Sequence, residues 1–291
     1  MVVEGHVITV TGPRAADSLG VVDAHDHLLI DSPGMPGQGF TDPGKAIEEV
    51  LEGRSSGIGT IVEMTPIGLG RDPAGLRAVA EATGVPIIAA SGYHRDSHYP
   101  EGHWVHRASV EMLAARVFAD LTEGMHPADW LDPSLPLDPA RAGAIKGGAS
   151  YHHISRGERR RLEAIGAASA GTGAAILVHS EVGTAAHEII DMLESAGARP
   201  DRIALAHLDR NPDPELHAEV AARGVTLEYD TIGRTKYHPD SVVLDLIEAV
   251  AGAGHLDVNA GRRAVVAQQQ RQADHALVAD RADLRRLAVG H

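Results

Sequence analysis

Seven short apolar runs, each followed by a helical pattern, recur about every 30 residues along this chain of 291 residues, and few folds accept that rhythm. The runs lie at 21–28, 58–65, 85–91, 142–147, 174–180, 202–207 and 225–230. They are nearly continuous in Val, Ile, Leu and Ala rather than alternating with polar residues, which suits parallel strands covered on both faces. Helical patterns fill the gaps at 44–54, 73–83, 107–123, 155–171, 183–196, 214–223 and 239–253. Asp72-Pro73 and Asp213-Pro214 open two of them with a capping residue and a proline suited to the first turn. Gly84, Gly197, Gly224 and Gly254 close others. The expected fold is α/β, a (β/α)8 TIM-type barrel. An open doubly wound sheet is the runner-up, but no glycine-rich phosphate loop follows the first strand.

Composition narrows the function. The 43% of apolar residues supplies a sizeable core, and with two Trp and two Phe that core must be aliphatic. A formal net charge of −14 argues against nucleic acid and anionic membranes as partners. Cysteine is absent, so a bound metal would need His, carboxylate or modified Lys. No stretch approaches a membrane span and no basic segment precedes an apolar one at the N-terminus, so a soluble, cytoplasmic protein is expected.

Two places break the rhythm. Between residues 91 and 142 lies a long His-rich stretch, a helix and a Pro-rich segment at 127–139. A barrel builds its substrate pocket from such loops after strand C-termini. From Val258 the sequence turns Ala-, Arg- and Gln-rich. Residues 1–257 are therefore expected to form the barrel and 258–291 an atypical tail, with the eighth strand–helix unit degenerate or replaced. Residues 264–267 are a weak strand candidate and 274–289 a thinly amphipathic helix candidate.

The chemistry gathers at strand ends. The first run closes on His25-Asp26-His27, and alternation along a strand turns both imidazoles the same way, as a metal-ligand pair would need. Alone, His-x-His reads equally as a polar strand end. Lys146, His179, His207 and Asp230 stand at the ends of four later runs, and in a barrel these ends converge on one mouth. A lysine in an apolar strand is expensive unless paired or neutralised. Lys146 reads either as an ion-paired strand-end residue or as an amine carboxylated by carbon dioxide. His94, His98, His103 and His106 are too irregularly spaced to read as a second metal site, and pocket-lining or surface roles fit them better.

Over residues 20–257 the chain resembles the phosphotriesterase family of the amidohydrolase superfamily, which includes phosphotriesterase-like lactonases. The resemblance rests on Asp-Ala-His25-Asp-His27-Leu, on Glu63-Met-Thr-Pro-Ile-Gly-Leu-Gly-Arg-Asp72, and on Lys146, His179 and His207 following in order. It implies a binuclear centre of two divalent metal ions, zinc by the family's habit. His25 and His27 would bind the buried ion, His179 and His207 the exposed one, and carboxylated Lys146 would bridge them. A bridging hydroxide would be the nucleophile. Tyr93 resembles a tyrosine that lactonase-type members place beside the metals, although a packing role under the loop reads equally well. Arg234, beside Gly233, lies in a loop where such members contact substrate. The implied activity is hydrolysis of an ester bond in a small molecule, most readily a lactone or carboxylic ester, with phosphotriesters, phosphate esters and amides as alternatives.

One family feature is absent. An Asp should end the eighth strand within about ten residues of Asp257, given the short connections of such barrels. The sequence there reads Val-Asn-Ala-Gly-Arg-Arg-Ala-Val-Val-Ala, without an acid. A shifted reading frame at Val258 would produce this change, and the other frames of the coding sequence would test it. No catalytic proton acceptor is therefore assigned, and a member that binds a small molecule without turnover stands as the alternative function. A barrel left open would expose strand edges to a second copy, so a homodimer is among the expectations.

Overall fold

A computed structural model describes residues 5–34, 36–255, 265–270 and 273–277. Two strands not foreseen in the sequence come first: β1 (His6–Thr9) and β2 (Gly12–Ala15) form an antiparallel hairpin. Val10 N donates to Ile87 O at 2.9 Å, so the hairpin lies against the N-terminal end of the barrel.

The strand–helix series follows. It runs β3 (Val21–Asp26), α1 (Pro43–Ser55), β4 (Ile58–Glu63), α2 (Pro73–Thr83), β5 (Ile87–Gly92) and α3 (Val110–Thr122). It continues through β6 (Ala144–Ala149), α4 (Arg156–Thr172), β7 (Ala175–Ser180) and α5 (Ala186–Ser195). It ends with β8 (Ile203–Ala206), α6 (Pro214–Ala222), β9 (Thr226–Tyr229) and α7 (Asp240–Gly252). The expected starts are well founded: Asp72 accepts from Gly75 N at 2.9 Å, and Asp213 accepts from Glu215 N and Leu216 N. Among the described residues no helix is long and apolar enough to cross a membrane.

Strands β3 to β9 pair in sequence order, all parallel. The barrel closes on β10 (Val265–Gln270), parallel to β9, and β11 (Ala273–Leu277), antiparallel to both β10 and β3. Two strands thus fill the gap where one was sought, and 274–277 belong to a strand rather than to the helix expected there. The physical reason is edge satisfaction: β9 and β3 both offer unpaired backbone, and a hairpin pairs with each. The rest of the expected tail lies outside the described residues.

The core sits between the strands and the helices, with Ile61, Ile87, Ile145, Val178, Leu205 and Leu227 against Leu76, Leu113, Leu162, Ile189 and Val220. Strand alternation turns Lys146 inward, because a Cβ on its neighbour Gly147 would meet Ile165 and Leu162 of α4. The long segment after β5 is tied down by several contacts. Tyr99 donates its hydroxyl to Ile67 O at 2.9 Å and accepts from His94 N at 2.8 Å. Buried Arg71 bridges Asp120 at 2.8 Å and Asp129 at 3.0 Å.

Candidate functional site

Residues far apart in sequence meet where the parallel strands end. Lys146 Nζ lies 2.8 Å from His25 Nε2. The ring centroids of His25 and His27 are 5.4 Å apart, those of His25 and His207 5.5 Å, and those of His179 and His207 4.5 Å. The structure therefore brings His25, His27, Lys146, His179 and His207 into one cluster.

Three imidazoles of the cluster meet an acid directly and His27 reaches one through a threonine; of those acids, Asp230 stands out in the sequence at a strand end and Glu63 within a motif. His25 Nδ1 lies 3.0 Å from Glu228 Oε1. His27 Nδ1 lies 2.9 Å from Thr65 Oγ1, which donates to Glu63 Oε1 at 2.5 Å. His179 Nε2 lies 2.7 Å from Glu181 Oε2, whose other partner is Arg95 Nη1 at 2.5 Å. His207 Nδ1 lies 2.5 Å from Asp230 Oδ2, which also accepts from Arg210 at 2.8 Å. Such carboxylate contacts select a tautomer and aim the ring. Glu228 did leave a trace in the sequence: it precedes Asp230 by two residues, as an acid inside an otherwise largely apolar run.

Burial dominates the electrostatics. It holds His25, His27, His94, His179 and His207 well below the ordinary imidazole value, with the Lys146 charge adding to the effect on each. The rings are thus neutral near pH 7, the form that binds metal. Burial raises Glu63 to about 7, and burial together with Asp230 raises Asp209 to about 8. Glu228 is raised well above the usual carboxylate range by the same two causes.

Among the described residues, no three His, Asp or Glu side chains are already posed around one ion. Each ring leans instead on a neighbouring polar atom. The donor chemistry nonetheless fits divalent cations: four neutral imidazoles and a lysine amine converge, and Glu228 Oε2 is buried without a hydrogen-bond partner.

The neighbouring residues divide. Tyr93 N donates to Lys146 O at 2.9 Å, but the Tyr93 side chain turns outward, with its hydroxyl on Leu113 O at 2.9 Å and its ring edge-on to Trp104. Of its two readings, the geometry is that of the packing aromatic. The cause lies one residue earlier. Gly92 has φ +114°, and a Cβ there would stand 2.1 Å from Lys146 O, so the chain leaves β5 on a path open only to glycine. His94 turns toward the cluster instead, 4.8 Å from His179 and 3.9 Å from His98 between ring centroids. His103 and His106 pack around Tyr99. Arg234 is half-buried in the loop after β9, and its charge helps to lower His207.

Comparison with known proteins gives the family and the fold. A model of the phosphotriesterase family matches residues 5–275. A phospho-furanose lactonase of Mycoplasmopsis agalactiae is 35% identical over 247 residues, covering 82% of this chain and 70% of that one. The crystal structure of an amidohydrolase from Mycoplasma synoviae superposes with a TM-score of 0.82 at 32% identity, covering 89% and 78% of the two chains. A variant of the organophosphorus hydrolase of Deinococcus radiodurans superposes with a TM-score of 0.76 at 30% identity, covering 90% and 78%.

Proposed function

Because the chain belongs to the phosphotriesterase family, we propose that its histidine cluster holds two divalent cations, zinc foremost, and hydrolyses a lactone or other carboxylic ester. The single observation that carries this reading is the meeting of four acid-backed neutral imidazoles around buried Lys146. His25 and His27 would hold one cation, and His179 and His207 the other. Bound cations would supply a water acidified toward neutral pH and an electrophile for the ester carbonyl.

The chain's own residues do the rest. Glu228, Thr65 with Glu63, Glu181 and Asp230 fix the ring orientations. Lys146 would serve between the cations as a carbamate: its amine nitrogen forms a bond to the carbon of carbon dioxide and releases one proton to solvent. His94 lines the approach to His179, and Arg234 offers a positive charge at the mouth. A phosphorylated furanose lactone is the first substrate to try, since a relative of that activity covers most of the chain. A cytoplasmic site of action belongs to the same reading, supported by a chain without cysteine and hence without disulfides.

A second reading keeps the cations and drops the turnover. It is favoured by β10, whose sequence Val-Val-Ala-Gln-Gln-Gln offers no acid beside β9. The test is elemental analysis of protein expressed with zinc, followed by lactone hydrolysis before and after chelation. Two equivalents of zinc, with activity lost on chelation and restored by zinc, support the enzyme. Bound zinc without turnover on any lactone supports the second reading, and no bound metal overturns both.

A further inference from the structure

Among the described residues, Glu228 is the one acid at the cluster that meets a ring directly and has no arginine within salt-bridge distance. Asp230 shares its Oδ2 between His207 and Arg210, and Glu181 is shared between His179 and Arg95. Glu63 reaches His27 only through Thr65. Glu228 touches His25 with Oε1 and leaves Oε2 buried with no hydrogen-bond partner, at 1% residue exposure. A buried carboxylate oxygen left unsatisfied is costly, so it signals a partner yet to be supplied; Oδ1 of Asp230 and of Asp209 are orphaned as well, but Asp230 already faces Arg210 through Oδ2 and Asp209 is held by Thr231.

Its position in the sheet says which partner. β9 is the strand beside the barrel's closure, and Val265 and Val266 of β10 pair with Glu228 and Tyr229. β10 brings no carboxylate to that seam. Glu228 faces inward on β9 and Asp230 follows the strand's end, with Asp230 Oδ2 already matched by Arg210. Glu228 therefore stands one strand away from the missing acid, with Oε2 unmatched by any hydrogen bond and His25 between it and Lys146.

We infer that Glu228 is the carboxylate of the buried cation: it orients His25 through Nδ1 and supplies the negative charge that the closing strand lacks. The inference rests on the binuclear reading above and assigns this chain a positioning residue which that reading leaves open. A carboxylate–imidazole–cation line of this kind raises the ligand's basicity and fixes its tautomer. Charge and orientation are separable, because glutamine keeps an oxygen for His25 Nδ1–H and drops the charge, whereas alanine drops both.

The test uses the full chain loaded with cobalt(II), comparing wild type, Glu228→Gln, Glu228→Ala and Asp274→Asn. Asp274 is included because it lies on β11, the other closing strand. Cation stoichiometry, chelator competition and the cobalt visible spectrum are read beside circular dichroism and thermal unfolding. Glu228→Gln should remain folded, hold one of its two cations about 10- to 100-fold more weakly, and shift the cobalt spectrum. Glu228→Ala should weaken that cation further. Folded Glu228 variants with wild-type affinity and spectrum would overturn the inference and leave the binuclear reading intact. The same loss on Asp274→Asn alone would also overturn it, giving the charge to β11. A wild-type protein that takes up no cation would overturn both.

Discussion

Nζ of Lys146 stands 2.8 Å from Nε2 of His25, with the two residues 0% and 3% exposed. The first member of the His-x-His pair and a lysine on the opposite part of the barrel are therefore direct neighbours, sealed from bulk water. Nothing along the sequence between them requires this; the closure of the sheet does. His25 in turn leans on Glu228, so the three residues form a line across the barrel from β6 through β3 to β9.

Removing the amine should empty the centre without unfolding the barrel. Lys146→Ala is expected to lose both cations while keeping its circular dichroism, because the outward residues of β6 continue to pack on α4. Elemental analysis checks this. In the wild type, carbon-13 bicarbonate should give a carbamate signal that Lys146→Ala lacks.

Tyr93 and His94 should separate stability from activity. Tyr93→Phe removes the buried hydrogen bond to Leu113 O and should cost about 1 kcal/mol of stability with kcat/KM unchanged. His94→Ala should lower kcat/KM with little change in thermal midpoint. A large activity loss in Tyr93→Phe would return that hydroxyl to the site.

Arg234 should matter by substrate charge. Arg234→Ala is expected to raise KM for a phosphorylated lactone well above its effect on a neutral lactone, since only the former gains from a cation at the mouth. Equal effects on both would remove Arg234 from substrate recognition.

The metal-free protein should weaken in acid. The five site imidazoles have folded-state values below the ordinary 6.5. The unfolded chain therefore takes up more protons as pH falls through about 6.5, and the stability these groups contribute is lost toward their depressed values. Glu63, raised to about 7, works in the opposite sense: its contribution is present below about 4.5 and is lost as pH rises through 7. The urea midpoint, measured with chelator present, should fall between pH 7 and pH 5. In Glu63→Gln it should rise relative to wild type between pH 5 and pH 8.

Arg71 should prove structural. Arg71→Ala leaves Asp120 and Asp129 as uncompensated buried charges, which costs about 3–5 kcal/mol. Thermal unfolding measures the loss, and unchanged stability would mean that the two carboxyls are held by other means.

The strand ends were legible in the sequence because buried parallel strands write themselves as apolar runs, and a His or Lys closing such a run stands out. The residues that support those ends were not. Glu181 and Arg95 look like ordinary surface charges until folding brings them to a ring, and Glu63, though named within a motif, shows its link to His27 only through Thr65. Between the two readings of Tyr93 the sequence could not choose, because side-chain direction after β5 depends on the Gly92 φ angle, which residue type permits without dictating. Of the closing hairpin only 264–267 stood out, as a weak strand candidate, because its sequence carries little apolar pattern; its pairing follows from the two open strand edges beside it.

Arg95 and His179 meet through a single oxygen, Oε2 of Glu181. Arg95 belongs to the segment that follows β5, and His179 to a rigid strand. Any displacement of that segment would withdraw a cation from Glu181 and leave its full charge to His179. The position of the segment after β5 and the polarisation of the His179 ring are therefore set by one shared oxygen, and neither can change without the other.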